Sequence, residues 1–216
     1  MSTTGEVVSE IVKLGPNEEA SGRPFTSVGL IERDLAVLIQ LVADVRGVLR
    51  EVDAGTRTIE AYQRMAWKID DLTHRLIICD ERRLRFRDRT CVVGFFGERK
   101  TDIDPAPLEE ANSAIVSEFT RFPGILSYSS VELPGDRWAN LVLHDDPIDR
   151  EYWRTSKMHA KAADLLSPIH YRNVRIHNAV LTDGLTDHPS LVLERTKYYD
   201  FEGEVTWRAE RELVTV

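Results

Sequence analysis

Residues 125–144, ILSYSSVELPGDRWANLVLH, contain two strand-like segments on either side of a turn signal. The segments 125–133 and 137–144 are rich in aliphatic, aromatic and β-branched residues, which favour strands. Pro134, Gly135 and Asp136 between them are residue types typical of a turn. This stretch therefore predicts an antiparallel β-hairpin.

The flanking segments add one strand and one helix on each side of this hairpin. Upstream, residues 90–97, TCVVGFFG, predict a strand, and residues 104–122 predict a helix. Downstream, residues 146–167 predict a second helix and residues 169–182 a final strand. Each helix begins with an Asp-Pro pair, which caps and starts a helix well. The order strand, helix, strand, strand, helix, strand is typical of a ferredoxin-like β-α-β-β-α-β fold in the α+β class, with both helices on one face of a four-stranded sheet.

The N-terminal part of the chain has a different character. Residues 1–28 include a run of turn-forming residues and predict a flexible arm. Apolar residues then recur at steps of three and four over residues 29–52 and again over residues 57–82. This spacing predicts two helices packed as a helical hairpin, an extension that spans residues 29–87.

The C-terminal segment, residues 191–214, predicts a β-hairpin that turns near Glu202 and Gly203. With this hairpin, the ferredoxin-like domain spans residues 88–216. A single sheet of this kind leaves one apolar face uncovered, and large uncovered apolar faces mark association sites. We therefore expect a homodimer built on that face.

The composition limits the classes of function. The chain has 216 residues, and 28 basic against 36 acidic side chains give a net charge of −8, which argues against nucleic acid as a partner. Cys79 and Cys91 have no metal-site spacing and are interpreted as buried thiols of a reducing compartment. No apolar run has the length of a membrane span, and the N-terminus lacks the apolar core of a secretory signal. We therefore expect a cytoplasmic protein with no membrane partner.

The region 88–182 resembles the dimeric α/β-barrel superfamily, in which two ferredoxin-like sheets pack face to face. The similarity is carried by FPGILSYSSVEL at 122–133, Trp138, YWRTSKMHAKAA at 152–163 and YRNVRIHNAVL at 171–181. Members include antibiotic-biosynthesis-type monooxygenases, haem-degrading oxygenases, chlorite dismutases and aldoxime dehydratases. The resemblance implies a dimeric barrel that holds a small molecule, bound with haem or with no cofactor.

His159 is the first candidate for chemistry. It falls on a helical stripe that is expected to face the sheet, formed by Ile148, Tyr152, Thr155, His159, Ala162 and Leu166. Three roles remain open for it. It is a structural histidine bonded to a backbone carbonyl, a catalytic acid or base, or, as the haem-binding relatives imply, the axial ligand of a haem iron.

Strand 137–144 supplies the other candidates. Trp138, Asn140, Val142 and His144 share one face of it, and this face is expected to point into the barrel, while Ala139, Leu141 and Leu143 point to the helices. Trp and Asn can hold an aromatic substrate by stacking and a hydrogen bond.

These residues lead to one expected function and two alternatives. The leading expectation is a monooxygenase-like enzyme that acts on an apolar or aromatic metabolite. His159 and Asn140 are its predicted catalytic residues, and the substrate is bound by Trp138, Tyr152, Trp153 and His144. The alternatives are a haem-dependent dehydratase or oxygenase with His159 as metal ligand, and a non-enzymatic ligand-binding or assembly module. No P-loop, dinucleotide-binding, zinc-protease or nucleophile-elbow motif favours other enzyme classes.

Overall fold

The computed structural model describes residues 10–185 and 189–213. Within these residues the strands are β1 Val12–Leu14, β2 Arg64–Ile69, β3 Leu72–Ile78, β4 Arg89–Arg99, β5 Ile125–Leu133, β6 Arg137–His144, β7 Tyr171–Thr182, β8 Ser190–Asp200 and β9 Trp207–Glu212. The helices are α1 Val28–Asp53, α2 Glu81–Phe86, α3 Ala106–Ser117, α4 Pro147–Trp153, α5 Lys157–Lys161 and α6 Ser167–His170. Residues 1–9 of the predicted arm and 214–216 of the predicted domain lie outside the described part.

All of these strands belong to one open, mixed sheet with nine strands among the described residues, in the order β1-β9-β8-β7-β4-β6-β5-β3-β2. Neighbours are antiparallel, except that β1 runs parallel to β9. The prediction of a four-stranded ferredoxin-like sheet that closes a dimeric barrel is therefore wrong, although the fold is α+β. The four predicted strands occupy the middle, but β8 pairs with β7 and β3 pairs with β5, so the sheet continues on both sides.

The predicted helix over residues 57–82 is also wrong, and with it the helical hairpin. This region forms the β2–β3 hairpin, whose two-residue turn consists of Asp70 and Asp71 with φ angles of 47° and 65°. Such left-handed turns match the twist of antiparallel strands. The spacing of apolar residues was misinterpreted as helical because residues four apart, such as Leu72 and Leu76, share a face in a strand as well as in a helix.

Helix α1 crosses the strands on one face of the sheet, and here the predicted helix over residues 29–52 is confirmed. Its apolar stripe packs on Leu141 and Leu143 of β6, among others. The other face is covered by α3 to α6. The helices thus lie on the opposite face of β6 from the one expected, and the remaining face is covered by α1 of the same chain. The uncovered face that led us to expect a homodimer is therefore absent from the described structure, and the homodimer stays a prediction.

Two buried carboxylates attach α1 to the sheet. Asp34 accepts hydrogen bonds from Arg175 at 2.6 and 3.0 Å and from His177 Nε2 at 2.9 Å. Asp44 lies 2.6 Å from His74 Nδ1 on β3. Burial alone raises the pKa of Asp34, but the hydrogen bonds from His177 and Arg175 outweigh it, so the pKa lies below its usual value. The helix is therefore held over β7 at one point and over β3 at another.

The predicted helix over residues 146–167 is interrupted. Helix α4 ends at Trp153, and α5 begins after Ser156, whose hydroxyl accepts a hydrogen bond from the His159 backbone N–H. A π-helical turn, Ala162–Leu166, follows. Because of this break the expected stripe does not face the sheet throughout, and Ile148 and Tyr152 are 70% and 53% exposed.

No helix in the described ranges 10–185 and 189–213 combines the length and apolar character that a membrane crossing requires.

Candidate functional site

The candidate site lies between the sheet and the layer formed by α3 to α6. In the middle of the sheet, the side chains that point toward this layer are only half-buried. They belong to Val93 and Phe95 on β4 and to Asn140 and Val142 on β6. Central strands covered by helices normally bury such positions fully. The helix layer therefore leaves part of this face accessible.

His144 lies at the end of β6 and points toward the same layer. Its side chain is fully buried (0% exposed), and neither Nδ1 nor Nε2 has a hydrogen-bond partner among the described residues. Burial, followed by the positive charge of Arg150 and the neighbouring His159, lowers the pKa of His144 to about 3. Buried polar groups in native proteins are nearly always paired. A buried imidazole with two free ring nitrogens therefore marks this position as a candidate ligand contact.

His159 stands in the first turn of α5, and Ser156 fixes the backbone there. Its half-buried ring packs against the indole of Trp153, with ring centroids 5.3 Å apart and planes tilted by 58°. Burial, then the charge of Arg154, lowers the pKa of His159, while Asp164 acts in the opposite direction. The imidazole is therefore neutral at physiological pH and able to accept a proton. The π-helical turn that follows it is a feature often found at functional sites.

The predicted substrate-binding aromatics are divided between two places. Trp153 is buried in an aromatic cluster with Phe119 and Phe122, at centroid distances of 5.6 and 4.8 Å. Tyr152 instead borders a surface groove of about 250 Å³, lined by Glu118, Arg121, Phe122, Tyr152, Thr155, Ser156 and Lys157. Of these two aromatics, only Trp153 is in contact with a candidate histidine, His159.

Trp138 and Asn140 lie at the other end of β6. The Trp138 indole N–H donates to Asn140 Oδ1, and the guanidinium groups of Arg75 and Arg99 lie 5.1 and 4.6 Å from the indole centroid. Six residues of strand separate Trp138 from His144, or roughly 20 Å. No sequence pattern indicated that Arg75 and Arg99 belong to this site. Arg75 falls in the region that was predicted to be a helix. In a strand, the alternation of Arg75 with the buried residues His74 and Leu76 places its side chain on the same face of the sheet as Trp138.

Gly97 shapes this end of the site, because a Cβ atom there would overlap the ring of Tyr171 and lie 3.0 Å from that of Phe95. We expect Gly97→Ala to lower the free energy of unfolding by about 1–3 kcal/mol through overpacking. Urea denaturation measures this. Gly47→Ala is the matched control, since nothing lies within 4 Å of a Cβ there and alanine should stabilise α1 by up to about 1 kcal/mol. A neutral Gly97→Ala variant contradicts the overlap.

The described side chains do not supply the ligands of a metal site. Among the described residues, no group of three or more His, Cys, Asp or Glu side chains could hold a metal ion. Cys79 and Cys91 are free and buried, and burial raises the pKa of Cys79 to about 12, which makes it unreactive.

The surroundings of His159 do not fit a haem. Trp153 packs against its ring, and His159 lines neither the cavity of about 10 Å³ beside Trp138 nor the groove of about 250 Å³ beside Tyr152. Both spaces are smaller than a haem, so the residues around His159 do not fit an iron porphyrin.

Comparison with known proteins adds little to this geometry. No family model matches the chain, and no curated protein matches it. A solved structure, the crystal structure of protein SO0527 from Shewanella oneidensis, is similar with a TM-score of 0.39 and 9% sequence identity. The similarity covers 49% of this chain and 95% of that one. A likeness this weak carries no argument, and the resemblance to the dimeric α/β-barrel superfamily stays a prediction.

Proposed function

We propose that this protein is a small-molecule enzyme, monooxygenase-like, that holds an apolar or aromatic metabolite between the sheet and the layer of α3 to α6. The observation that carries the proposal is the pair of neutral histidines. His144 is fully buried with both ring nitrogens unpaired among the described residues, and half-buried His159 is near enough for its charge to lower the pKa of His144. The cytoplasmic location and the homodimer expected from the sequence belong to the same proposal.

The two histidines are suited to different tasks. His159 is partly accessible and neutral, so it can take a proton from an acidic C–H or O–H group of the substrate. His144 has a pKa of about 3 and stays neutral, so it serves as a hydrogen-bond partner that orients the substrate. The resulting carbanion or phenolate supplies electrons to O₂. Oxidation of a CH₂ group to C=O consumes one O₂, whose second oxygen leaves as water, so no external reductant is needed.

Oxygen uptake in the presence of anthrone tests the proposal, because anthrone has an acidic CH₂ group between two aromatic rings. We expect the protein to accelerate O₂ consumption and the appearance of anthraquinone absorbance. His159→Gln should lower that rate by on the order of 10²-fold or more, since it removes the base. Circular dichroism confirms that the variant is folded.

His74→Gln is the matched control. His74 is also a buried histidine, but it lies on the opposite face of the sheet, where it pairs with Asp44 of α1, and should leave the rate unchanged. An equal loss in both variants, or no acceleration by the unaltered protein, contradicts the proposed catalysis. A haem absorbance band in freshly purified protein would instead select the haem-dependent alternative.

The second candidate is ligand binding without turnover. It is favoured by the low pKa of His144, because an imidazole that does not take a proton is a recognition group rather than a proton carrier. Binding of anthrone that quenches tryptophan fluorescence, together with no oxygen uptake, selects this candidate.

A further inference from the structure

Two arginines share one tryptophan at the end of the site opposite His144. The guanidinium carbons of Arg75 and Arg99 lie 5.1 and 4.6 Å from the centroid of the Trp138 ring, which is itself only 7% exposed. Both arginines are half-buried. Two like charges held around one buried ring repel each other, so this arrangement needs a compensating partner.

Neither arginine has a carboxylate partner in the part of the chain that the structure describes. Arg75 makes only a 3.5 Å contact with the Thr73 carbonyl in addition to the indole contact. The Nε of Arg99 is buried and has no hydrogen-bond partner among the described residues, and its guanidinium group is close enough to hydrogen-bond the neutral hydroxyl of Tyr171, whose pKa it lowers against the effect of burial. The positive charge here is therefore uncompensated.

The other polar groups at this place also offer N–H and O–H donors. The hydroxyl of Tyr128 is buried and has no hydrogen bond of regular geometry among the described residues, although Ser130 and Trp138 lie close enough to hydrogen-bond it and lower its pKa against the effect of burial. Asn140 uses its oxygen to accept the Trp138 N–H, which leaves its NH₂ group free of any hydrogen bond that the described residues provide. Two acidic residues lie nearby: Glu98 accepts a hydrogen bond from Asn173, and Glu132, opposite Trp138 on β5, is exposed and forms no ion pair with either arginine among the described residues. Donors therefore outnumber acceptors at this place, which favours an anion as ligand.

We propose that Arg75 and Arg99, together with Tyr128, Trp138 and Asn140, bind the anionic group, a carboxylate or phosphate, of an aromatic ligand. The aromatic part fits this place because Phe95 and Tyr171 form an edge-to-face pair beside it, with centroids 5.4 Å apart. This proposal deepens the proposed function. It rests on that function only where it takes the bound ligand to be the substrate of the enzyme.

Isothermal titration with three matched probes tests the site: naphthalene-2-carboxylate, 2-naphthyl phosphate and neutral naphthalene-2-methanol. We expect the anions to bind at least about tenfold more tightly than the alcohol, because charge-assisted hydrogen bonds stabilise only the anions. The ratio of the dissociation constants of the two anions identifies whether the site prefers a carboxylate or a phosphate. Arg75→Gln and Arg99→Gln should each weaken anion binding by about ten- to a hundredfold and leave the alcohol unaffected.

Arg33→Gln is the matched control, because Arg33 is exposed on α1 and should not affect binding. Arg99→Lys keeps the charge but loses the planar donor fork, so it should give an intermediate affinity and serves if Arg99→Gln does not fold. Equal binding of anion and alcohol, an anion preference that survives in the double variant Arg75→Gln/Arg99→Gln, or no anion binding each overturns the site. If the anions bind through the arginines while anthrone is not oxidised, the proposed catalysis fails and the anion site stands.

Discussion

We expect Asp34→Asn to lower the free energy of unfolding by about 3–5 kcal/mol, because it leaves the buried charge of Arg175 without its partner. Asp34 receives two hydrogen bonds from Arg175 and one from His177, and all three side chains are buried. The NH₂ group of an asparagine there would face the guanidinium of Arg175 or the N–H of His177, and neither of these groups can accept its hydrogen bond. Equilibrium urea denaturation at pH 7.5 measures the change.

Glu32→Gln is the matched control for this variant. Glu32 is exposed on the same helix two residues earlier, so removing its charge should change stability by no more than about 0.5 kcal/mol. An Asp34→Asn variant that loses less than about 1 kcal/mol would show that the network does not hold α1 to the sheet.

His144→Phe should make the protein less sensitive to acid. The folded-state pKa of His144 is about 3, below its ordinary value of 6.5, so the unfolded chain binds a proton that the folded chain rejects. The stabilisation that neutral His144 gives to the folded state is complete above pH 6.5 and is lost as the pH falls toward 3. At pH 4.5 the loss is about 2–3 kcal/mol. Phenylalanine cannot take up the proton, so the variant should not show this part of the loss.

The measurement is the difference between the unfolding free energies at pH 7.5 and pH 4.5, taken for both proteins. Other groups titrate in the same direction, since burial also lowers the pKa of His177 and the pKa of Asp34 is lowered. The comparison between the variant and the unaltered protein removes these shared contributions. Equal losses in the two proteins contradict the buried, unpaired state of His144.

The sequence was a good guide to elements whose pattern is local. Helix α1 has a long 3.6-residue period, and the β5–β6 hairpin has Pro134 and Gly135 at its turn. The β2–β3 hairpin was missed because Asp70 and Asp71 are a less common turn pair than Asn-Gly or Asp-Gly. The extent of the sheet was not predictable, because its outer strands pair with residues that are far away along the chain.

The residues of the candidate site were likewise predictable only where the sequence pattern is local. Strand alternation on β6 correctly put Trp138, Asn140 and His144 on one face, since that follows from geometry alone. The alternation did not indicate which helices cover this face. Arg75 and Arg99 lie on different strands, β3 and β4, with β5 and β6 between them, so no spacing in the sequence reveals that they share an indole ring.

The course of α1 across the sheet also has a consequence during protein synthesis. The helix leaves the ribosome early, but Arg175, which binds Asp34, is synthesised 141 residues later. At about 5–20 residues per second, this interval is on the order of 10 s. During that time the apolar stripe of α1 has no complete sheet to cover. Nascent chains that stop before β7 therefore expose this stripe, and we expect them to aggregate or to require a chaperone, whereas the complete chain does not.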